Sequence, residues 1–177
     1  MSMIRNAARL AHICHKGQTR RGGKPYIEHP HRVADMVMLL DDDEVIITDA
    51  MIAAAWLHDV YEDCDIQPRQ LIDATNRVVD RYVEELTNVY VKEAYPEWNR
   101  KNRKTEEARR LAEVSPPAQI IKLCDRIDNL KTASKKGKKF ALLYCAESEI
   151  LASALTVGAK LQAEIFRLSK LIQGTLS

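Results

Sequence analysis

The chain has 177 residues, 46% of them hydrophobic and 29% charged, enough for one domain with a sizeable core and too ordinary in balance for a disordered chain. No apolar run reaches the roughly 20 residues that cross a bilayer, and the start Met1-Ser-Met-Ile-Arg-Asn6 lacks the apolar core of a secretion signal, so a cytoplasmic protein without a membrane partner is expected. The formal net charge of +2 hides a segregation: residues 41–65 hold nine acids and no Lys or Arg, whereas residues 100–139 hold thirteen Lys or Arg against five acids.

Apolar periodicity predicts helices over 3–16, 30–40, 46–62, 67–74, 76–94, 99–113, 117–134 and 139–172. Breaks fall at Gly22-Gly23, Asp41–Asp43, Pro68, Pro96 and Pro116-Pro117. Residues 24–28 leave room for a short strand, and no other alternating pattern is present. There is no internal repeat and no long linker, so the expected architecture is all-α and a single domain over 1–177. The last predicted helix carries an apolar stripe of Leu151, Leu155, Val157, Leu161, Ile165, Leu168 and Leu171, suited to packing on the core or, as a second reading, to a homodimer interface. Four cysteines, Cys14, Cys64, Cys124 and Cys145, have neither CxxC nor zinc-ribbon spacing and are expected to be reduced.

The densest chemistry follows the most apolar helix. Ala50-Met-Ile-Ala-Ala-Ala-Trp-Leu57 carries no charge, and His58-Asp59 and Glu62-Asp63 come directly behind it. Carboxylates delivered by a buried helix need a partner, and a divalent cation converts such a cluster into a favourable one. On a continuing helix Glu62 lies four residues beyond His58, and Asp63 four beyond Asp59, so neighbours share a face. Two adjacent ligands do not close a site. Pro25-Tyr-Ile-Glu-His-Pro30 offers His29 at a helix entry that Pro30 favours. Ile120-Ile-Lys-Leu-Cys-Asp-Arg-Ile-Asp-Asn-Leu130 offers Asp125 on a polar stripe with Lys122 and Asn129, flanked by apolar residues. Two imidazoles and two carboxylates suit Mn²⁺, Fe²⁺ or Zn²⁺ with positions left for water, which points to metal-assisted phosphoester hydrolysis.

Set together, His29, His58-Asp59 and Asp125 resemble the HD phosphohydrolase superfamily. The ordered segments Gly17-Gln-Thr-Arg-Arg21, Gly23-Lys-Pro-Tyr-Ile-Glu-His-Pro30, His58-Asp-Val-Tyr-Glu-Asp63 and Lys122-Leu-Cys-Asp-Arg-Ile-Asp-Asn129 are similar to the hydrolase domain of RelA/SpoT alarmone enzymes, and Tyr144-Cys-Ala-Glu-Ser-Glu149 is similar to its closing helix. The length leaves no space for a synthetase region, so the resemblance is to a small stand-alone alarmone hydrolase. It implies hydrolysis of the 3′-pyrophosphate of ppGpp or pppGpp with one Mn²⁺. By the same resemblance His29, His58, Asp59 and Asp125 are the metal ligands, and Glu62 and Asp63 the catalytic acids. Arg20 and Arg21 hold the guanine and a neighbouring phosphate, and Asn129 and Thr132 line the nucleotide pocket.

The chain departs from the family pattern at Lys24, at Asp128, and at Tyr61, whose ring is placed to narrow the cleft or bond a phosphate. These departures keep a second substrate class open, a nucleoside monophosphate or the 2′-phosphate of NADPH. A third reading is a non-catalytic nucleotide or RNA binder. The run Lys131-Thr-Ala-Ser-Lys-Lys-Gly-Lys-Lys139 has no interleaved aromatic residue to stack bases, so it reads as a solvated loop and nucleic acid is not an expected partner. Residues 85–113 match no motif and read equally as a lid, with Lys92, Arg100, Lys101, Arg103 and Lys104 as candidates to reach phosphate, or as an exposed helix face.

Overall fold

Four of the helices in the computed structural model, which describes residues 2–176, begin where a side chain accepts from an unpaired backbone N–H of the first turn. Ser2 Oγ accepts from Arg5, Thr48 Oγ1 from Met51, Asn76 Oδ1 from Val78 and Val79, and Asn99 Oδ1 from Asn102. The α-helices among the described residues are α1 Met3–Cys14, α2 Glu28–Met38, α3 Asp49–Leu57, α4 Val60–Asp63, α5 Pro68–Ala74, α6 Arg77–Leu86, α7 Arg100–Ala112, α8 Pro116–Ala133, α9 Lys138–Ala154 and α10 Ala159–Leu176. The all-α expectation holds. In place of a strand at 24–28 there is an isolated antiparallel bridge between Thr19 and Pro25.

Cα packing divides the chain into two units, one up to Thr87 and one from Asn88 onward. In the first unit α3 packs against α1, α2 and α6. Its residues Met51, Ile52, Ala53, Ala54, Ala55 and Leu57 are all buried, so apolar side chains run round the helix as its composition requires. The predicted helix 46–62 is interrupted after Leu57, and α4 starts at Val60. The cause lies in His58: its Nδ1 donates to the Ala55 carbonyl at 2.8 Å, the acceptor that the Asp59 N–H would use if the helix continued.

In the second unit α8 packs on α9 and α10, and α7 packs on α9. Thirteen of the 18 residues of α8 are buried, including Gln119, Lys122, Asp125, Arg126 and Asp128. Gln119 joins three segments: its Nε2 donates to the carbonyls of Ala112 and Val114, and its Oε1 accepts from the Thr156 N–H.

Two further expectations need correction. The helix predicted over 76–94 ends at Leu86: Thr87 bonds the Val83 carbonyl through both its N–H at 3.1 Å and its hydroxyl at 2.8 Å, and the chain leaves Thr87 extended. Residues 88–99 then form a loop in which Tyr90 stacks on Trp98, with Tyr95 against both, and Glu107 accepts from the N–H groups of Val89 and Tyr90. The single helix predicted over 139–172 is two, parted at Leu155–Gly158. Gly158 takes φ +77°, and a β-carbon there would lie 2.8 Å from Leu123 Cδ1 and 2.9 Å from Ile120 Cδ1. Leu161, Ile165 and Leu168 of the predicted stripe are buried in α10, while Leu171 is exposed.

Candidate metal centre

The break between α3 and α4 sets the local geometry of the first unit. His58 caps α3 and Asp59 precedes α4, so imidazole and carboxylate leave the backbone at a bend. His29, in the first turn of α2, comes from a separate element. Both imidazoles are 1% exposed, too buried to be incidental surface groups.

These side chains converge on one atom. Asp59 Oδ2 lies 3.0 Å from His58 Nε2 and 3.6 Å from His29 Nε2, and it accepts a 2.5 Å hydrogen bond from the Tyr26 hydroxyl. The rings of His29 and His58 meet edge to face with centroids 5.1 Å apart. A carbonyl only accepts, so the Ala55 contact fixes the His58 proton on Nδ1 and turns Nε2 toward the carboxylate. A backbone carbonyl on the far nitrogen is the outer support that metal-binding histidines use. Two imidazole nitrogens and a carboxylate oxygen set this close are stabilised by a shared cation, so the residues fit a divalent metal of the borderline class.

Tyr26 was not singled out as a functional residue by its sequence, although it stands inside a recognised segment. Burial, followed by the nearby charges of Asp59 and Asp63, pushes its phenol well above the usual tyrosine range, so it remains a donor. Gln18 is a second such residue. Its Nε2 donates to the Asp63 carbonyl at 2.9 Å, and its Oε1 lies 2.8 Å from His15 Nδ1. Only the segment it shares with Arg20 and Arg21 marked it in the sequence. The four cysteines are free thiols.

Glu62 and Asp63 are exposed on α4. Arg20 and Arg21 lie in a loop closed by the Arg20 N–H to the Lys24 carbonyl and the Gly23 N–H to the Arg20 carbonyl, each 2.9 Å. Gly22 and Gly23 both take positive φ there, a turn that other residues resist. Tyr61 does not serve the role expected of it. Its hydroxyl donates to Asp80 on α6, and burial with that bond raises its pKa.

In the second unit the predicted stripe of α8 is present as a bonded set. Asn129 Nδ2 donates to Asp125 Oδ1 at 2.6 Å, and Lys122 Nζ lies 3.7 Å from Asp125 Oδ2. Thr132 donates to the Asn129 carbonyl at 3.3 Å, a bond within the helix. Of the basic candidates to reach phosphate, Arg100 makes a two-pronged pair with Glu147 at 2.6 and 2.9 Å, and Arg103 donates to the carbonyls of Trp98 and Tyr95. Lys92 and Lys101 are exposed.

Known proteins resemble this chain in sequence and in fold. An HD domain family model matches residues 7–149. Mouse guanosine-3′,5′-bis(diphosphate) 3′-pyrophosphohydrolase MESH1 is 33% identical over 137 residues, which cover 76% of this chain and 71% of that protein. The guanosine-3′,5′-bis(diphosphate) 3′-pyrophosphohydrolase of Aquifex aeolicus is 34% identical over 146 residues, covering 78% of this chain but only 19% of the relative. A solved metazoan ortholog of SpoT, described as hydrolysing ppGpp, superposes with a TM-score of 0.81 at 22% identity over 100% of this chain and 98% of its own, which shows a shared fold. The chain belongs to the HD domain family, with the mouse and bacterial pyrophosphohydrolases among its relatives.

Proposed function

We propose that this chain hydrolyses the 3′-pyrophosphate of guanosine tetra- or pentaphosphate, releasing GDP or GTP and pyrophosphate, with a divalent metal held by His29, His58, Asp59 and Asp125. The observation that carries the reading is the convergence of His29, His58 and Tyr26 on Asp59 Oδ2. The family match supports it: it runs from residue 7 to residue 149, across both units, and so includes Asp125. On that ground the two units are taken to act as one catalytic domain. The metal is Mn²⁺ on this reading, in keeping with a mixed nitrogen and oxygen donor set.

When bound, the metal supplies Lewis acidity toward a phosphoryl oxygen and toward water. The chain's own residues do the rest. Glu62 and Asp63 stand on the turn directly after Asp59, exposed to solvent, where a carboxylate takes a proton from the attacking water and returns one to the leaving oxygen. Gln18 holds the Asp63 backbone, and Tyr26 holds Asp59 so that its carboxylate does not swing toward solvent. Arg20 and Arg21, presented by the glycine-closed loop, hold the guanine and a neighbouring phosphate, while Asn129 and Thr132 line the nucleotide pocket. The substrate assigns the protein to alarmone turnover, the chemistry of a stringent response, in the cytoplasm. No helix among the described residues is long and apolar enough to cross a membrane.

The test separates ligand from acid. Asp59→Ala or Asp125→Ala should lose bound metal, measured by elemental analysis after gel filtration. Glu62→Ala should keep the metal and lose turnover by about a hundredfold or more, the usual weight of a positioned acid or base. Normal turnover by Glu62→Ala would remove that residue from the mechanism, and full metal content in Asp59→Ala would remove the ligand assignment.

A further inference from the structure

Glu62 and Asp63 sit on a helix too short to hold itself in place. α4 has four residues. The bonds that close it run from the Glu62 and Asp63 N–H groups to the Asp59 carbonyl, at 3.1 and 2.9 Å, and from the Cys64 N–H to the Val60 carbonyl at 3.1 Å. A single turn is unfavourable alone, because the dihedral angles it fixes outweigh the few bonds it gains, so its place must come from other elements. Val60 is fully buried and anchors the start. At the far end the Gln18 side chain donates to the Asp63 carbonyl at 2.9 Å. Tyr61 supplies a third hold, because its hydroxyl donates to Asp80 Oδ1 on α6.

Asp80 is itself well fixed. It is buried, between the buried Val79 and Val83, on a helix that Asn76 caps and that packs on α3. A buried carboxylate needs a donor, and a hydroxyl on an ionised oxygen is one of the stronger hydrogen bonds. Successive helical residues project about 100° apart. With Val60 buried and Tyr61 turned to α6, Glu62 and Asp63 are the two side chains of α4 left exposed. Tyr61 is also a position at which the chain departs from the family pattern. We propose that Tyr61 is a positioning residue, whose bond to Asp80 holds α4 against α6 and so fixes where the Glu62 and Asp63 carboxylates stand beside Asp59. In giving those carboxylates the work of catalysis, the inference rests on the hydrolase reading above.

Tyr61→Phe removes the hydroxyl and keeps the ring. In the Mn²⁺-loaded full chain, assayed with ppGpp, it should lower kcat per bound metal about tenfold, as loss of one charged hydrogen bond does, while KM and metal content stay within about twofold. Asp80→Ala should lose as much, and Asp80→Asn, which keeps an acceptor oxygen, should recover most of that loss. Tyr61→Phe combined with Asp80→Ala should lose no more than either alone, as for two partners in one interaction. A merely structural role would reduce the amount of folded, metal-loaded protein and leave kcat per bound metal intact. A second readout needs no substrate: hydrogen exchange followed by mass spectrometry over residues 58–65. Tyr61→Phe should speed exchange there about tenfold and leave the amides of α3 unchanged. An unchanged kcat per bound metal, additive losses in the double variant, or unchanged exchange in α4 would overturn the proposal. Faster α4 exchange in a protein that does not turn over ppGpp would overturn the hydrolase reading and leave the hold of Tyr61 on α4 standing.

Discussion

At the residue scale the centre depends on a proton placed by a backbone carbonyl. Ala55 fixes the His58 tautomer, and Tyr26 donates to the same Asp59 oxygen that both imidazoles face. Tyr26→Phe removes that donor at little change in volume. It should lower metal affinity or turnover about tenfold to a hundredfold, the range for outer supports of a metal site, and metal titration alongside steady-state rates reads which of the two moves. Unchanged values in both would make the hydroxyl a packing feature only. The ligand types were legible in the sequence because a charge-free helix delivering His58-Asp59 has few bland explanations. Tyr26 and Gln18 were not, since a lone Tyr or Gln carries no spacing signal and their bonds join residues 33 and 45 positions apart. Tyr61 shows the converse. Proximity in sequence to the acids suggested a phosphate contact, whereas the local backbone sends its hydroxyl to Asp80.

At the scale of elements, the sequence located the helices, and the errors fall where a side chain intercepts a backbone acceptor, where the chain turns extended, or where one residue takes an unusual backbone angle. His58 stops α3, Thr87 stops α6, and Gly158 parts α9 from α10. Apolar periodicity passes through all three places, because the residues on either side are apolar whether or not the helix is continuous. Gly158 combines a positive φ with close approach to Leu123 and Ile120 of α8. Gly158→Ala therefore meets both backbone strain and overpacking and should cost about 2–4 kcal/mol, seen as a lower midpoint in denaturant without a change in slope. A stability equal to that of the unaltered chain would mean that α8 yields to admit the methyl group.

At the scale of the molecule, charge segregation legible in the sequence acquires a physical meaning. The acidic stretch supplies α4 with Glu62 and Asp63, while the basic stretch supplies the buried Lys122 and Arg126 to α8. Composition alone reached the segregation but not the burial, which separates the exposed Lys135, Lys136, Lys138 and Lys139 from Lys122 on α8. The most direct test incubates the Mn²⁺-loaded protein separately with ppGpp, NADPH and nucleoside monophosphates, with Asp59→Ala as control, and identifies the products by chromatography. GDP and pyrophosphate from ppGpp, absent with the control, are the predicted result. Metal-dependent release of phosphate from NADPH or a monophosphate with ppGpp left intact, or no metal-dependent product from any of them, would contradict the account.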